Sequence, residues 1–588
     1  MSHPIPRSAE QPDLRSRIAQ TLALAIILIT PSLYSFHFMS FMDAKLAGLI
    51  VGVALLAIVA DRERTLRRDR LMMFAPLVVL VLWATVVGFV QTSVSLPGSG
   101  EGVAGRFGAV LLAALLLLGA APATSIQRSV TLSAVPVSVL ALAQYAGLLP
   151  GMFPDFPEYG QRMYSVFGNQ DLLGGYVALG LVLGFALWLD RALAPALAGL
   201  LFVTAGPTLL LSGSRSAWLA ALAGAAFAAW QGRTERRRVG GVIAASLAVL
   251  VAMIAIAPGA TWERFTGTFA SVDAGYRIRL WIWDGTIRLI GEHPVTGIGL
   301  GNFAFHSPRA LGEVLHERGP GVHMFNHIHT QHAHSDLLEI IAESGVVGLV
   351  LLLLFVLYIP RRRSPVWPAL AAAFIFSLIN TTLHSPPHLL AVLLLAGSVR
   401  EDESPSIQGS LHGRWSRAVF AGFCIVVPAL WTVDTLYASA LYARAQALYE
   451  AGDTRAEAAY ERAAIKPANS AAAVELATIQ TNAGREWEAI STAYSATFGV
   501  DTGELYYLRA HLSERVKRPD SAILYLYREC LLRWPDHAPA YAGLLRNTDP
   551  DEQREVILAE AKRWLSPADY AALTVQASAE ALSTPSLP

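Results

Sequence analysis

Histidine residues gather near the middle of this 588-residue sequence, immediately before a long apolar run. Five of them fall within a dozen positions: His323, His327, His329, His332 and His334. Asp336 and Glu339 have the spacing of a capping box, which predicts that a helix begins directly after His334. The positive end of a helix dipole favours anions and a neutral imidazole, the form that a general base needs. His334 is therefore the candidate base.

Arginines in three other segments could bind an anionic group. Arg162 precedes the segment SVFGN, Arg215 lies in LSGSRSAWLA, and Arg277 lies in GYRIRLWIW. A guanidinium is always charged and offers a planar pair of donors, which suits a phosphate or diphosphate. The simpler alternatives are that Arg215 anchors a helix end at a membrane surface and that Arg277 is a surface residue.

Closely spaced glycines occur in the segment HPVTGIGLGNF, upstream of the histidines. Gly299 and Gly301 suit a tight turn with positive φ, and Asn302 follows them directly. A phosphate-cradling loop is the weaker interpretation, because no P-loop lysine follows the glycines. The imidazoles of HIHTQHAH could instead hold a metal ion, and this alternative to a metal-free base stays open.

The composition indicates a membrane protein. Hydrophobic residues make up 54% of the chain and charged residues only 15%, whereas soluble domains carry about 25% charged residues. The mean hydropathy is +0.43. A formal net charge of zero gives no electrostatic reason to expect a nucleic-acid partner. Two distant cysteines argue against a disulfide framework or a cysteine-based metal site.

Long apolar runs, most of about 17 to 25 residues, predict about 12–13 transmembrane helices. The runs are 18–38, 44–60, 71–91, 105–122, 128–149, 171–189, 193–212, 216–231, 240–258, 343–360, 366–383, 386–399 and 417–435. Basic clusters lie at the N-terminus and in every second loop, which predicts a cytoplasmic N-terminus. The large loop 259–336 is then external, and so is the C-terminal region unless the short run 386–399 does not span the membrane.

The composition changes near residue 436. The stretch ALYARAQALYEAGDTRAEAAYERAAIKPAN has the small-residue, aromatic and proline spacing of a tetratricopeptide repeat. The sequence therefore predicts an all-α protein with a polytopic membrane domain (1–435), a soluble helical-repeat domain (436–575) and a disordered tail (576–588). A plain helical bundle is the alternative for 436–575.

Four segments together resemble the O-antigen ligase and O-antigen polymerase superfamily of bacterial membrane glycosyltransferases. They are FGN at 167–169, SRSAW at 214–218, HP and GIGLGNF within 293–303, and His334–Ser335 with Gly345 and Gly348 downstream. The superfamily arginine before a Leu–Trp pair maps to Arg277, with Arg279 as the other possible register. The resemblance implies a catalytic His334, the diphosphate ligands Arg215, Arg277 and Arg162, and a supporting loop of Gly299, Gly301, Asn302, Asn169, Ser335 and Gly345.

The resemblance also implies what the protein does. A glycan moves en bloc from an undecaprenyl-diphosphate carrier to an acceptor at the periplasmic face of the bacterial inner membrane. No cofactor or metal is expected, because two arginines can neutralise the diphosphate. The acceptor stays open between lipid A core, a growing polysaccharide of repeat units and a protein hydroxyl. Membrane lipids and a protein bound by the helical repeats are the other expected partners. The alternatives of another class are a polysaccharide transporter and a non-catalytic assembly scaffold; few charged residues inside the spans disfavour the transporter.

Overall fold

The chain folds almost entirely into α-helices. A computed structural model describes residues 14–59, 67–92, 98–153, 163–231, 240, 274–320, 330–361, 363–399, 414–465, 469–497, 501–548 and 551–583. Within these ranges there are 22 α-helices and no β-strand. The prediction of an all-α fold is confirmed.

The helices are numbered here in chain order. Before the histidine segment they are α1 (Leu14–Ile29), α2 (Phe41–Val59), α3 (Arg68–Thr92), α4 (Gly98–Ala120), α5 (Ala123–Tyr145), α6 (Gln170–Leu189), α7 (Pro195–Leu211), α8 (Arg215–Gln231), α9 (Ala274–Glu292) and α10 (Phe303–Arg318). After it they are α11 (Asp336–Tyr358), α12 (Val366–Ser377), α13 (Pro386–Ser398), α14 (Arg414–Glu450), α15 (Ala456–Ala464), α16 (Ser470–Asn482), α17 (Glu486–Ala496), α18 (Gly503–Arg515), α19 (Asp520–Arg533), α20 (Ala538–Arg546), α21 (Asp551–Trp564) and α22 (Pro567–Ser583).

Membrane-spanning character is concentrated in the first part of the chain. Among the described residues, 7 helices are long and apolar enough to cross a membrane, namely α1 to α6 and α11. Helices α7, α12 and α13 are apolar but shorter. Every apolar run predicted from the sequence falls on a helix except 240–258, of which only residue 240 is described. The protein is therefore a polytopic membrane protein, and the full count of 12–13 spans stays a prediction.

Helix α6 lies at the centre of the membrane helices. It is apolar on all sides and contacts α5, α7, α8 and α12, as expected for a helix surrounded by others. Glycines allow these neighbours to come close. A Cβ atom on Gly174 would lie 2.9 Å from the Cβ of Ser214, and one on Gly175 would lie 2.2 Å from the Phe376 ring. This close packing brings the first turn of α6 beside the start of α8.

Helix α11 is interrupted at Gly345, where φ is 64° and ψ is −164°. The loop between α9 and α10 donates hydrogen bonds to backbone carbonyl groups of α11 that the interruption leaves without partners in the helix. The Ile298 N–H donates to the Ala342 carbonyl and the Gly299 N–H to the Glu343 carbonyl, both at 2.9 Å. Irregular backbone is tolerated at such places when other protein groups satisfy it. No break is predicted here from the sequence, because a single glycine before an apolar run does not reveal that another segment will replace the hydrogen bonds of the helix.

The C-terminal helices contact helix α10, which precedes the histidine segment. A Cβ atom on Gly312 of α10 would lie 2.0 Å from the Leu532 carbonyl oxygen of α19. Trp564, in α21, packs into the same apolar cluster as Phe303 and Leu311 of α10. The C-terminal region is thus attached at two places, through α14 and through this contact. Its tetratricopeptide character stays a prediction.

Two features of the C-terminal region bear on the predicted domain limits. Helix α14 runs without interruption from Arg414 to Glu450, across the predicted boundary at 435–436. Helix α22 extends to Ser583, so the prediction of disorder from residue 576 is wrong for 576–583. Alanines at 577, 579 and 581 favour continuation of the helix there. Residues 584–588 lie outside the described residues, and the domain division itself stays a prediction.

Candidate active site

Asn169 starts helix α6 and places Asp171 in its first turn. The Asn169 Oδ1 atom accepts hydrogen bonds from the backbone N–H groups of Asp171 and Leu172, at 2.8 and 3.1 Å. Asparagine is among the residues preferred at this capping position. The predicted supporting residue Asn169 therefore acts on the site through the orientation of α6.

Five side chains from four segments form a closed ring of hydrogen bonds. Ser214 donates to Asp171 Oδ1 at 2.6 Å and lies 3.2 Å from the Ser216 hydroxyl. The Asn380 Nδ2 group donates to Ser216 at 2.7 Å. Arg279 closes the ring, because its Nη2 group donates to Asp171 Oδ2 at 2.9 Å and to Asn380 Oδ1 at 3.2 Å. The ring joins α6, α8, α9 and the loop after α12.

The N-termini of three helices meet at this ring. Ser214, directly before α8, contacts Asp171 in the first turn of α6. The backbone N–H of Asp336, the first residue of α11, donates to the Asn380 carbonyl at 3.3 Å. Each helix N-terminus carries partial positive charge and N–H groups suited to an anion. The ring therefore lies where a negatively charged group would be stabilised.

The predicted arginines occupy different places. Arg279, the second of the two possible registers, belongs to the ring. Arg277 lies two positions earlier on α9, about 200° around the helix, and is half-buried. Arg215 is the first residue of α8 and is exposed. Arg162 lies outside the described residues.

His334 lies in the short loop before α11, in a left-handed backbone conformation with φ of 50°. For a residue other than glycine this conformation costs about 1–2 kcal/mol, so surrounding contacts must hold it. Burial lowers the pKa of His334 to about 4, assisted by the positive charges of Arg279 and His332. The imidazole is therefore neutral at pH 7, as the sequence analysis expected. Burial is the main cause of the low pKa, not the helix terminus that the sequence suggested.

The acidic residues after His334 do not form the predicted capping box. Ser335 caps α11 instead, because its hydroxyl accepts the Leu338 N–H at 3.4 Å. The Asp336 carboxylate accepts the backbone N–H groups of Thr382, at 3.0 Å, and Leu383, at 3.2 Å. The capping-box interpretation was wrong because both carboxylates are used in contacts with other segments.

Glu339 brings together two histidines that are distant in sequence. Its Oε1 atom lies 2.9 Å from His332 Nδ1 and 2.9 Å from His384 Nε2. Its Oε2 atom accepts the Ala333 N–H at 2.8 Å. Burial lowers the pKa of His384, but the Glu339 carboxylate outweighs this effect and raises it to about 9. Among the described residues, the ligand atoms of His332, Glu339 and His384 lie within 4.8 Å of one another and could also hold a metal ion.

The supporting loop has the expected glycine geometry. Gly299 and Gly301 have φ values of 92° and 76°. A Cβ atom on Gly299 would lie 2.3 Å from the Gly88 Cα atom of α3, so this loop packs backbone against backbone. Asn302 is fully buried, and its Nδ2 group donates to the Ile298 carbonyl at 2.8 Å. These residues shape the loop that supports the break in α11 at Gly345.

Part of the chain matches a known protein family. Residues 200–353 match the family model described as O-antigen ligase. These residues form an O-antigen ligase domain. A comparison with curated proteins finds no match.

The O-antigen ligase domain contributes Ser214, Arg279 and His334 to the site. Asp171 precedes the matched residues and Asn380 follows them, and both complete the ring. Sequence reasoning missed Asp171, Arg279 as first choice, Asn380, Glu339 and His384. Asp171 had one usable signal, since it follows the FGN segment by two positions. Asn380 and His384 stand in no motif, and only the fold brings them to the O-antigen ligase domain.

Proposed function

We propose that the protein is a glycosyltransferase that moves a glycan en bloc from an undecaprenyl-diphosphate carrier to an acceptor hydroxyl. The reaction would take place at the periplasmic face of the bacterial inner membrane. One observation carries the proposal: three helix N-termini, the Arg279 guanidinium and the neutral His334 imidazole surround one place in a chain with an O-antigen ligase domain. A cationic group for the leaving diphosphate and a base for the acceptor are the two groups that this reaction needs.

The diphosphate would bind at the helix N-termini. We assign Arg215 and Arg277 to it, with Arg162 as a further ligand, and add Arg279 because it already lies in the ring. Guanidinium groups can bind phosphate oxygens in pairs and neutralise charge that develops as the diphosphate leaves. In this proposal the arginines supply the positive charge and the chemistry needs no metal.

His334 would act as the general base. The acceptor oxygen attacks the anomeric carbon of the donor glycan as His334 Nε2 or Nδ1 takes the hydroxyl proton. The bond from the anomeric carbon to the diphosphate oxygen breaks, and the lipid diphosphate leaves with the electron pair. One C–O bond forms and one breaks, and the proton ends on the imidazole.

The acceptor distinguishes the remaining possibilities. Transfer to lipid A core is the ligase reaction and is our first choice, given the description of the matched family. Transfer to a lipid-linked repeat unit or to a protein hydroxyl would use the same base and the same diphosphate site. The helical C-terminal region, which contacts α10, is proposed to bind a protein partner.

The proposal is tested by glycan analysis and by reconstituted transfer. A strain that lacks the gene should lose long glycans from lipopolysaccharide, an exopolysaccharide or a glycoprotein, and the missing product identifies the acceptor. The purified parent protein should transfer glycan in lipid vesicles, whereas the His334→Ala variant should not. His306→Gln, on α10, is the matched control and should keep parent activity. Normal glycans in the deletion strain would contradict the proposal, and a purified parent protein that transfers no glycan would favour a transporter or a scaffold. Parent activity of His334→Ala would exclude His334 as the base.

A further inference from the structure

The short loop that carries His334 is held on both sides by carboxylates of α11. On the N-terminal side, Glu339 binds the backbone N–H of Ala333 at 2.8 Å and the ring of His332 at 2.9 Å. On the C-terminal side, Asp336 binds the backbone of Thr382 and Leu383. The backbone around His334 is therefore held at two points, by the Glu339 and Asp336 carboxylates in the first turn of α11.

The backbone of His334 requires such anchors. Its φ of 50° lies in the left-handed region, which a residue with a side chain leaves when nothing prevents it. The peptide that Glu339 holds immediately precedes this residue. Moving the Ala333 N–H would change the direction in which the imidazole leaves the backbone.

His384 fixes the Glu339 carboxylate in turn. Its Nε2 lies 2.9 Å from the same Oε1 atom that His332 contacts, and its ring lies 4.4 Å from the His332 ring between centroids. Glu339 is only 2% exposed, so water cannot replace a lost partner easily. The two oxygens of this buried carboxylate thus accept three hydrogen bonds from three different groups.

We propose that Glu339, locked by His384, is a positioning residue that sets the orientation of the catalytic base His334 through the His332–Ala333 peptide. This inference rests on the proposed function, since it takes His334 as the base. Glu339 does not touch the substrate in this account; it acts through His334. The same three side chains could hold a divalent metal, but their hydrogen bonds already satisfy the buried carboxylate without one.

A double-mutant cycle tests the inference. Glu339→Gln keeps the size of the side chain but cannot accept the same three hydrogen bonds. Since a misplacement of about 1 Å can reduce a rate by about 10²-fold, we expect the kcat of Glu339→Gln to fall by about 10- to 100-fold with little change in the KM for the donor. In a His334→Ala background the same change should have almost no further effect, because residues that act as a unit are not additive. His384→Gln should show the same pattern, and it carries the test if Glu339→Gln does not fold.

The outcomes separate the inference from the proposed function. If the purified parent protein transfers no glycan, the proposed function fails, and if His334→Ala retains parent activity, its assignment of His334 as the base fails. If His334→Ala is impaired but Glu339→Gln reduces the rate equally in both backgrounds, or changes only the KM, the positioning role fails. The metal content of the purified parent and His384→Gln proteins decides the rival explanation. If the parent binds one equivalent of zinc and His384→Gln loses it, the three side chains form a metal site and the hydrogen-bonded arrangement is excluded. Metal-free parent protein with full activity supports the hydrogen-bonded arrangement.

Discussion

Arg279 and Asp171 stand 108 positions apart in the chain, and their side chains meet at 2.9 Å in the candidate active site. Each side chain of the pair is 25% exposed, so the pair is neither fully buried nor freely solvated. Partly exposed pairs of this kind contribute little net stability, on the order of 1 kcal/mol or less. A diphosphate could therefore compete with Asp171 for the guanidinium.

We expect Arg279→Lys to impair transfer although it keeps the positive charge. A lysine cannot reach Asp171 and Asn380 with the fixed geometry of a guanidinium. Loss of a charge-assisted hydrogen bond costs about 1.5–3 kcal/mol, so the rate should fall by about 10- to 150-fold. The control is Arg288→Lys on the same helix, whose partners Glu313 and Glu317 lie on α10 and which should behave like the parent. Parent activity of Arg279→Lys at equal protein levels would remove Arg279 from the reaction.

Arg215 and Arg277 provide a separate prediction. If both bind the diphosphate, Arg215→Ala and Arg277→Ala should each raise the KM for the lipid-linked donor or lower kcat by about tenfold or more, and the lysine variants should recover only part of the activity. Transfer assays on purified variants measure this effect. Full activity of both alanine variants would exclude Arg215 and Arg277 as ligands of the diphosphate. Arg279 would then be the diphosphate-binding arginine of α9, and Arg215 would only anchor a helix end at the membrane surface.

His334→Ala should lower transfer by about 10²- to 10⁴-fold, the usual contribution of a general base. The pH dependence is a second readout. A base must be deprotonated, and burial lowers the pKa of His334 to about 4 from the ordinary value of 6.5. The rate should therefore stay constant from pH 8 down to about pH 5 and fall only as the pH passes about 4. A profile of kcat/KM that halves near pH 6.5 would contradict a buried base.

Gly299→Ala should prevent normal folding of the site. A methyl group there would lie 2.3 Å from the Gly88 Cα atom, and φ is 92°. A side chain at positive φ alone costs about 1–2 kcal/mol, and the contact with backbone adds to this. Gly199→Ala in α7 is the matched control, because nothing lies within 4 Å of its added Cβ atom. Thermal stability in detergent should fall for the first variant and be unchanged or higher for the second.

The predicted external position of the site and of the C-terminal region can be tested by labelling. Pro320→Cys, after α10, and Ile465→Cys, at a position 78% exposed after α15, should both react with an impermeant thiol reagent in cells with a permeabilised outer membrane. Both cysteines are introduced into the Cys424→Ala protein, which alone gives the background labelling. Cys530 is fully buried and can remain. Labelling of Ile465→Cys only after lysis of the inner membrane would place the C-terminal region in the cytoplasm.

The sequence predicted the helices well because each apolar run carries its own signal. It also predicted the positive φ of Gly299, since this depends on local sequence. Asn169 and Ser335 were named only through the family resemblance, and the cap of α11 was predicted at Asp336 instead of Ser335. It could not select Arg279 over Arg277, because both lie on one helix and only the position of Asp171 decides between them. Asn380 and His384 were not predicted at all, since they reach the site through the packing of α12 and α13 and follow no spacing rule.

Helix α14 has a mechanical consequence for the C-terminal region. At about 1.5 Å per residue, its 37 residues form a rod on the order of 55 Å long, well beyond the roughly 30 Å of a bilayer core. The continuous helix α14 and the contact at Gly312 together fix the distance and the rotation of the C-terminal helices relative to α10. Adding one residue near the C-terminal end of α14 would shift the helices that follow by only about 1.5 Å but rotate them by about 100°. This rotation would break their contact with α10.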